Sequence, residues 1–155
     1  MRIPTESYEK IYQSYTDALA WMSKTGVKFS SGRTNHYEKV LEHWKDEYKT
    51  ASEDQGKATF PDFVSSVFEV HDFIDIHKAF RDIPSSELSQ LVENLQKGIK
   101  GPINASDETP KSTTARNFLF EATVAARSHR PQVGVEAILN ATSDTGIKID
   151  LPLTL

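Results

Sequence analysis

A chain of 155 residues, 37% hydrophobic and 26% charged, is long enough to bury the core of one domain and too close to globular norms for wholesale disorder. Its net charge of −4 lacks the overall basic footprint of a dedicated nucleic-acid binder, although local patches can sit within an acidic total. Cysteine is absent, which excludes disulfides, zinc-thiolate sites and thiol catalysis; no apolar run reaches the length of a membrane span, and MRIPTESYEK lacks a signal-peptide core, so a cytoplasmic protein without a membrane partner is expected.

In chain order, residues 6–24 place Tyr8, Ile11, Tyr12, Tyr15, Leu19 and Met22 at helical spacing, with Lys24-Thr25-Gly26 as the stop. The tyrosine stripe could stack bases, but packed core is its commoner use. Val27 to Arg33 reads as a loop turning at Gly32. Asn35 and Glu38 form a capping-box pattern ahead of a second stripe, Tyr37, Val40, Leu41, Trp44 and Tyr48. His36 and His43, seven residues apart, stand about 10 Å from one another along a helix axis, too far to share a metal ion, and read as surface or flank histidines.

Residues 52–59 read as a loop interrupted by Gly56, and a strongly apolar helix is predicted over 60–80 with Phe63, Val64, Val67, Val70 and Ile74 inward. His71 falls in that stripe with Asp75 one turn on, a spacing that suits a metal pair or a base with its orienter. No third ligand stands at a telling spacing, so a buried, hydrogen-bonded histidine is the expectation. Ser85 is the predicted cap of a fourth helix carrying Leu88, Leu91, Val92 and Leu95 and closed by Lys97-Gly98.

The division that follows is a helical region over 1–100, a connection over 101–113 and a helix plus β-hairpin over 114–155, within what is expected to be one compact domain. In the helix from Thr114, Glu121 shares a face with Phe118, Ala122 and Ala125, where a carboxylate is costly to desolvate without a cation, a metal or a donor. The plain expectation pairs it with Arg116 or leaves it at the rim of the core. Alternation of Val133, Val135, Ala137 and Leu139, then of Ile147, Ile149 and Leu151, around a turn at 142–146 predicts the hairpin. The fold class is therefore mainly α, about five helices with a small C-terminal hairpin whose edge must be covered by the helices, by another subunit or by strands outside this sequence.

The segments TGVKFSSGRTNHYEKVLEHW, EVHDFIDIHKAF, KGIKGPINASDE and especially ARNFLFEATVAA resemble the N-terminal part of uncharacterised bacterial proteins with a restriction-endonuclease-like nuclease core. The resemblance implies a metal-binding glutamate on the helix before the sheet, an aspartate on the second core strand and a Glu-x-Lys pair on the third. Glu121 matches the first; Asp144 matches the second, with Asp150 as the alternative. Such carboxylates would hold Mg²⁺, which polarises a phosphodiester and activates a water. The pattern breaks after Asp144: Lys148 is the one later lysine and Gly146 stands two residues before it, so the Glu-x-Lys pair is missing.

The resemblance thus implies a truncated nuclease relative, not catalytically competent as this chain, with no cofactor unless a complete core were to bind Mg²⁺. The alternative is a non-catalytic helical module that binds a protein or self-associates through the hairpin edge, as a homo-oligomer. Nucleic acid is a partner that the net charge does not support.

Overall fold

The computed structural model describes residues 6–110 and 113–128, and these form five α-helices with no strand among them. The helices are α1 (Glu6–Thr25), α2 (Arg33–Glu47), α3 (Glu53–Phe80), α4 (Ser89–Gly98) and α5 (Thr113–Ser128). Single 3-10 turns occupy Ser85–Glu87 and Ala105–Asp107. The mainly helical expectation holds; the predicted hairpin lies outside the described residues. None of the described helices is long and apolar enough to cross a membrane.

α1 stops where the sequence places its stop. Gly26 takes φ 113°, and Val27 N–H reaches back to Met22 O at 3.0 Å. This is a Schellman ending, with buried Val27 and Met22 supplying its apolar contact. The loop that follows is pinned to α4 by a reciprocal pair: Lys28 N–H donates to Gln96 Oε1 at 2.7 Å, and Gln96 Nε2 donates to Lys28 O at 2.9 Å.

α3 begins seven residues earlier than the sequence reading has it. Ser52 is a true N-cap: its hydroxyl accepts from Gln55 N–H at 3.3 Å and its own N–H donates to Gln55 Oε1 at 2.9 Å. Glu53 and Asp54 complement the helix dipole in the first turn, and Lys57 pairs with Glu53 one turn on, at 2.7 Å. Together these outweigh the propensity cost of Gly56, about 1 kcal/mol, and carry the helix on through Pro61. α2 likewise starts at Arg33 behind Gly32, which lies in extended backbone, so Asn35 sits inside the first turn and caps nothing. Ser85 opens the 3-10 turn, and α4 starts four residues later without a side-chain cap.

α1, α2 and α3 pack around two clusters of side chains. At one end Tyr8 meets Tyr48 (ring centroids 4.7 Å) and Phe63 (5.3 Å), while Trp44 stacks on Phe63 at 5.3 Å. Further along, Tyr15, Met22, Phe73, Ile76 and Phe80 continue the core towards Leu91 and Leu95 of α4. The tyrosine stripe is therefore core, and the Tyr15 hydroxyl donates to Thr34 O at 2.9 Å. Burial pushes the Tyr15 phenol well above its ordinary value.

α5 docks against both α4 and α3. Apart from Leu119, its buried face is small, Ala122, Thr123, Ala125 and Ala126, which lets the neighbouring backbones approach. A Cβ on Gly98 would stand 3.3 Å from both Cβ and N of Leu119, so glycine is what brings the end of α4 onto α5.

Candidate functional site

The most concentrated chemistry in the described residues is a charged seam that joins α2, α3, α5 and the 101–108 connection. Arg33 is 0% exposed, because it extends the Tyr37–Leu41 stripe back by one turn and so points inward. Its Nη2 donates to Gly98 O, and its Nη1 lies 3.8 Å from Glu69 Oε2. Glu69 is itself gripped by Arg116, whose Nη1 is 2.5 and 2.6 Å from the two carboxylate oxygens. Arg116 also pairs through Nε with Glu108 and reaches Pro102 O at 3.4 Å. Tyr37 closes the seam by donating to Ile103 O at 2.7 Å.

Two arginines and two glutamates make this seam formally neutral, and burial dictates how its members titrate. Desolvation pulls Arg33 below its usual value and raises Tyr37. Desolvation works against Arg116 as well, but the bond to Glu69 and its charge raise it overall. Arg33 Nε and Nη1 have no hydrogen-bond partner among the described residues. A Cβ on Gly101 would stand 3.3 Å from Arg33 Nη1 and from Ala115 Cβ, so the seam is closed by backbone on that side. This arrangement locks helices together; it offers no open position to a substrate.

The sequence reading missed the seam. The signal was present at Arg33 and at Glu69, which lies three residues after buried Ser66 and four before buried Phe73. Charged residues on an inward face are the mark of a buried pair.

His71 corrects the expectation of a buried, hydrogen-bonded histidine, and Asp75 does not pair with it. His71 is exposed, and Asp75 turns to α5, where its Oδ2 lies 3.5 Å from Arg127 Nη2. Asp72 shares that arginine at 3.6 Å, and desolvation raises its carboxyl, with the Arg127 charge opposing. His36 and His43 are flank residues, at 3.8 Å from Asp62 and 3.3 Å from Glu47 respectively.

Glu121 is on the face the sequence assigns to it, beside buried Ala122 and Ala125, but Arg116 is not its partner. The ties of Arg116 to Glu69 and Glu108 leave Glu121 with one hydrogen bond among the described residues, from Asn94 Nδ2 at 3.4 Å. Desolvation raises the Glu121 carboxyl, and the Lys97 charge partly opposes it. Glu121 is thus positioned by the packing of α5 on α4, with its carboxylate held by one long amide bond and the Lys97 charge. Asp144 and Asp150 lie outside the described residues. Among the described residues no group of three His, Asp or Glu side chains could hold a metal ion.

Two further surface features stand out. Phe68 is 75% exposed and Phe120 55% exposed. Phe68 shares a stripe with Asp72 and Asp75, and Phe120 shares one with Arg116 and Arg127, so both rings border the α3–α5 seam. No family model matches this chain, and neither does any curated protein or solved structure.

Proposed function

We propose that this chain is the helical part of a restriction-endonuclease-like protein, with Glu121 as one of its metal-binding carboxylates and with no phosphodiester cleavage from the chain as it stands. The observation that carries the reading is the weak hold on Glu121: a partly desolvated carboxylate on α5, inside ARNFLFE, whose one hydrogen bond among the described residues comes from an amide at 3.4 Å, with the Lys97 charge only partly offsetting its desolvation. A structural glutamate in that position would be expected to hold an arginine, and the nearby Arg116 is engaged elsewhere. The Glu121 oxygens suit a hard divalent ion such as Mg²⁺, which, when bound, would supply Lewis-acid polarisation of a phosphodiester. Asp144 is the proposed second ligand, and the sequence offers no Glu-x-Lys pair after it to complete the chemistry.

Mn²⁺ titration of the ¹⁵N-labelled chain tests this. Saturable paramagnetic broadening centred on residues around 121 and 144, lost in both Glu121→Gln and Asp144→Asn, is the expected result. Broadening that ignores both substitutions would remove the reading.

A second reading, a self-associating helical module, has its own observation in Phe68 and Phe120. The partner this face fits is a second copy of this chain. A two-fold contact would cover both rings beside the ion pairs that Arg127 makes with Asp72 and Asp75 within each copy. Sedimentation should then show a dimer that Phe68→Ser with Phe120→Ser converts to monomer. A monomeric wild type at high concentration would eliminate it.

A further inference from the structure

An open cavity of about 590 Å³ lies between α1 and the start of α2, a size within the roughly 300–1,000 Å³ of small-molecule sites. Its wall carries Thr16, Phe29, Ser30, Thr34, Asn35 and Glu38, with Leu19 as an apolar patch. Thr34 is 3% exposed, yet its hydroxyl, on that wall, has no hydrogen-bond partner among the described residues. A buried hydroxyl without a partner is costly, and a polar group brought into the cavity would relieve it. The first turn of α2 stands open beside it. Gly32 has no side chain to cap that turn, and the first bond back is from His36 N–H to Gly32 O at 3.1 Å. The N–H groups of Arg33, Thr34 and Asn35 are therefore left without an intrahelical acceptor. Phe29 follows directly on Val27 and Lys28, which are tied to the end of α1 and to Gln96, so its ring is set on the wall while remaining 37% exposed.

We infer that this cavity binds a neutral sugar, a monosaccharide or a disaccharide. A sugar has hydroxyls that donate and accept around its rim and C–H groups on its face, and the wall meets each in kind. The Thr34 and Ser30 hydroxyls and the N–H groups of the first turn donate, the Glu38 carboxylate and the Asn35 amide oxygen accept, and the Phe29 ring with Leu19 covers the C–H face. Charge decides between this ligand and an anion, the common occupant of a helix N-terminus. Glu38 is the one charged side chain among the described residues of the wall, so a phosphate or carboxylate would be repelled while a hydroxyl would be held by a charge-assisted bond. The cavity belongs to α1 and α2, whereas Glu121 is on α5 and the Phe68 and Phe120 rings border α3 and α5, so this inference stands apart from both proposed readings.

The test titrates the ¹⁵N-labelled chain separately with methyl glucoside, methyl galactoside, maltose and inorganic phosphate. At least one of the three sugars should give saturable shifts confined to residues 16–20 and 29–38, with a Kd on the order of 1 mM, and phosphate should give none there. Thr34→Val removes the hydroxyl and should weaken sugar binding about fivefold, while the sugar-free chain keeps or gains thermal stability because no bond within the chain is lost. Phe29→Ala should weaken binding about tenfold through the uncovered sugar face. Lys100→Gln, at an exposed lysine outside the cavity, should leave it unchanged. Phe29 and Lys100 are both exposed, so these two variants should fold as the wild type does, and their amide spectra check this. Absence of saturable shifts with all three sugars, phosphate bound more tightly than any of them, sugar binding untouched by Phe29→Ala, or a Thr34→Val chain that loses stability and binds as the wild type does would each overturn the inference. None of these outcomes bears on the Mn²⁺ titration or on sedimentation, which read other faces of the bundle.

Discussion

The aromatic end of the bundle and its charged seam do the same job by opposite means. At the aromatic end, Tyr8, Trp44, Tyr48 and Phe63 join α1, α2 and α3 through ring contacts that are individually weak, orientation-tolerant and partly redundant. At the seam, Arg33, Glu69, Arg116 and Glu108 join α2, α3, α5 and the preceding connection through a few directional bonds, each dependent on the others. The first tolerates loss of a part; the second leaves a buried charge when any part is removed. α5, with its alanine-rich buried face, therefore relies on polar bonds for an orientation that aromatic packing gives α1 and α2.

Removal of the shared carboxylate is the sharpest way to break that contrast. Glu69→Ala leaves two arginines facing each other, one fully buried, and should cost about 3–5 kcal/mol in urea or thermal unfolding. Phe63→Ala should cost about 3 kcal/mol by transfer and cavity terms, with the remaining rings able to relax into part of the space. The two sites share α3 but no partner, so the double variant should be additive within about 0.5 kcal/mol. A non-additive result would mean that the two regions are one cooperative unit. Replacing Arg33, Glu69 and Arg116 together by Met, Leu and Met should restore most of the stability lost in Glu69→Ala, because the seam's cost lies in unpaired charge.

The two regions also differ in how they can be read from sequence. Tyr8, Tyr15, Tyr37 and Trp44 announce themselves by spacing, since an apolar stripe repeats every three or four residues whatever it packs against. Gly26 is legible for a similarly local reason: a stop signal and the apolar residues it joins, Met22 and Val27, lie within six positions. Arg33 and Glu69 have their partners 36 to 65 residues away, so no window contains the pair that explains them; of the partners of Arg116 only Glu108 and Pro102 are closer in sequence. Glu121 shows both sides of this: its face was legible from Ala122 and Ala125, while its freedom from Arg116 depended on where Glu69 and Glu108 fall in space.

The start of α3 was legible and was misread. Ser52 and Gln55 spell a capping box, but Gly56 and the run of polar residues argue for a loop when weighed alone. Ser52→Ala should therefore cost about 1 kcal/mol and raise amide exchange at residues 53–57 without altering exchange at Arg33 or Arg116. Protection that persists at 53–57 would show that the first turns of α3 are held by packing of Phe60 and Phe63 and not by the cap.

Glu121, by contrast, is a carboxylate on α5 that the seam does not neutralise, and its titration should have the mildest effect on stability. Desolvation raises its pKa over the unfolded value. The folded chain then holds a proton that the unfolded chain has released, so stability falls as pH rises from the unfolded value, about 4.3, through the folded one, and the loss is complete above it. Glu121→Gln cannot titrate at this position. Its stability relative to wild type should rise across that interval and stay level at higher pH. Mg²⁺ at neutral pH should reverse the order: an ion that binds only the folded carboxylate stabilises wild type by mass action and leaves Glu121→Gln where it was. A pH difference without any Mg²⁺ response would reduce Glu121 to a carboxylate on the edge of the core, and the metal-binding role would have to be given up.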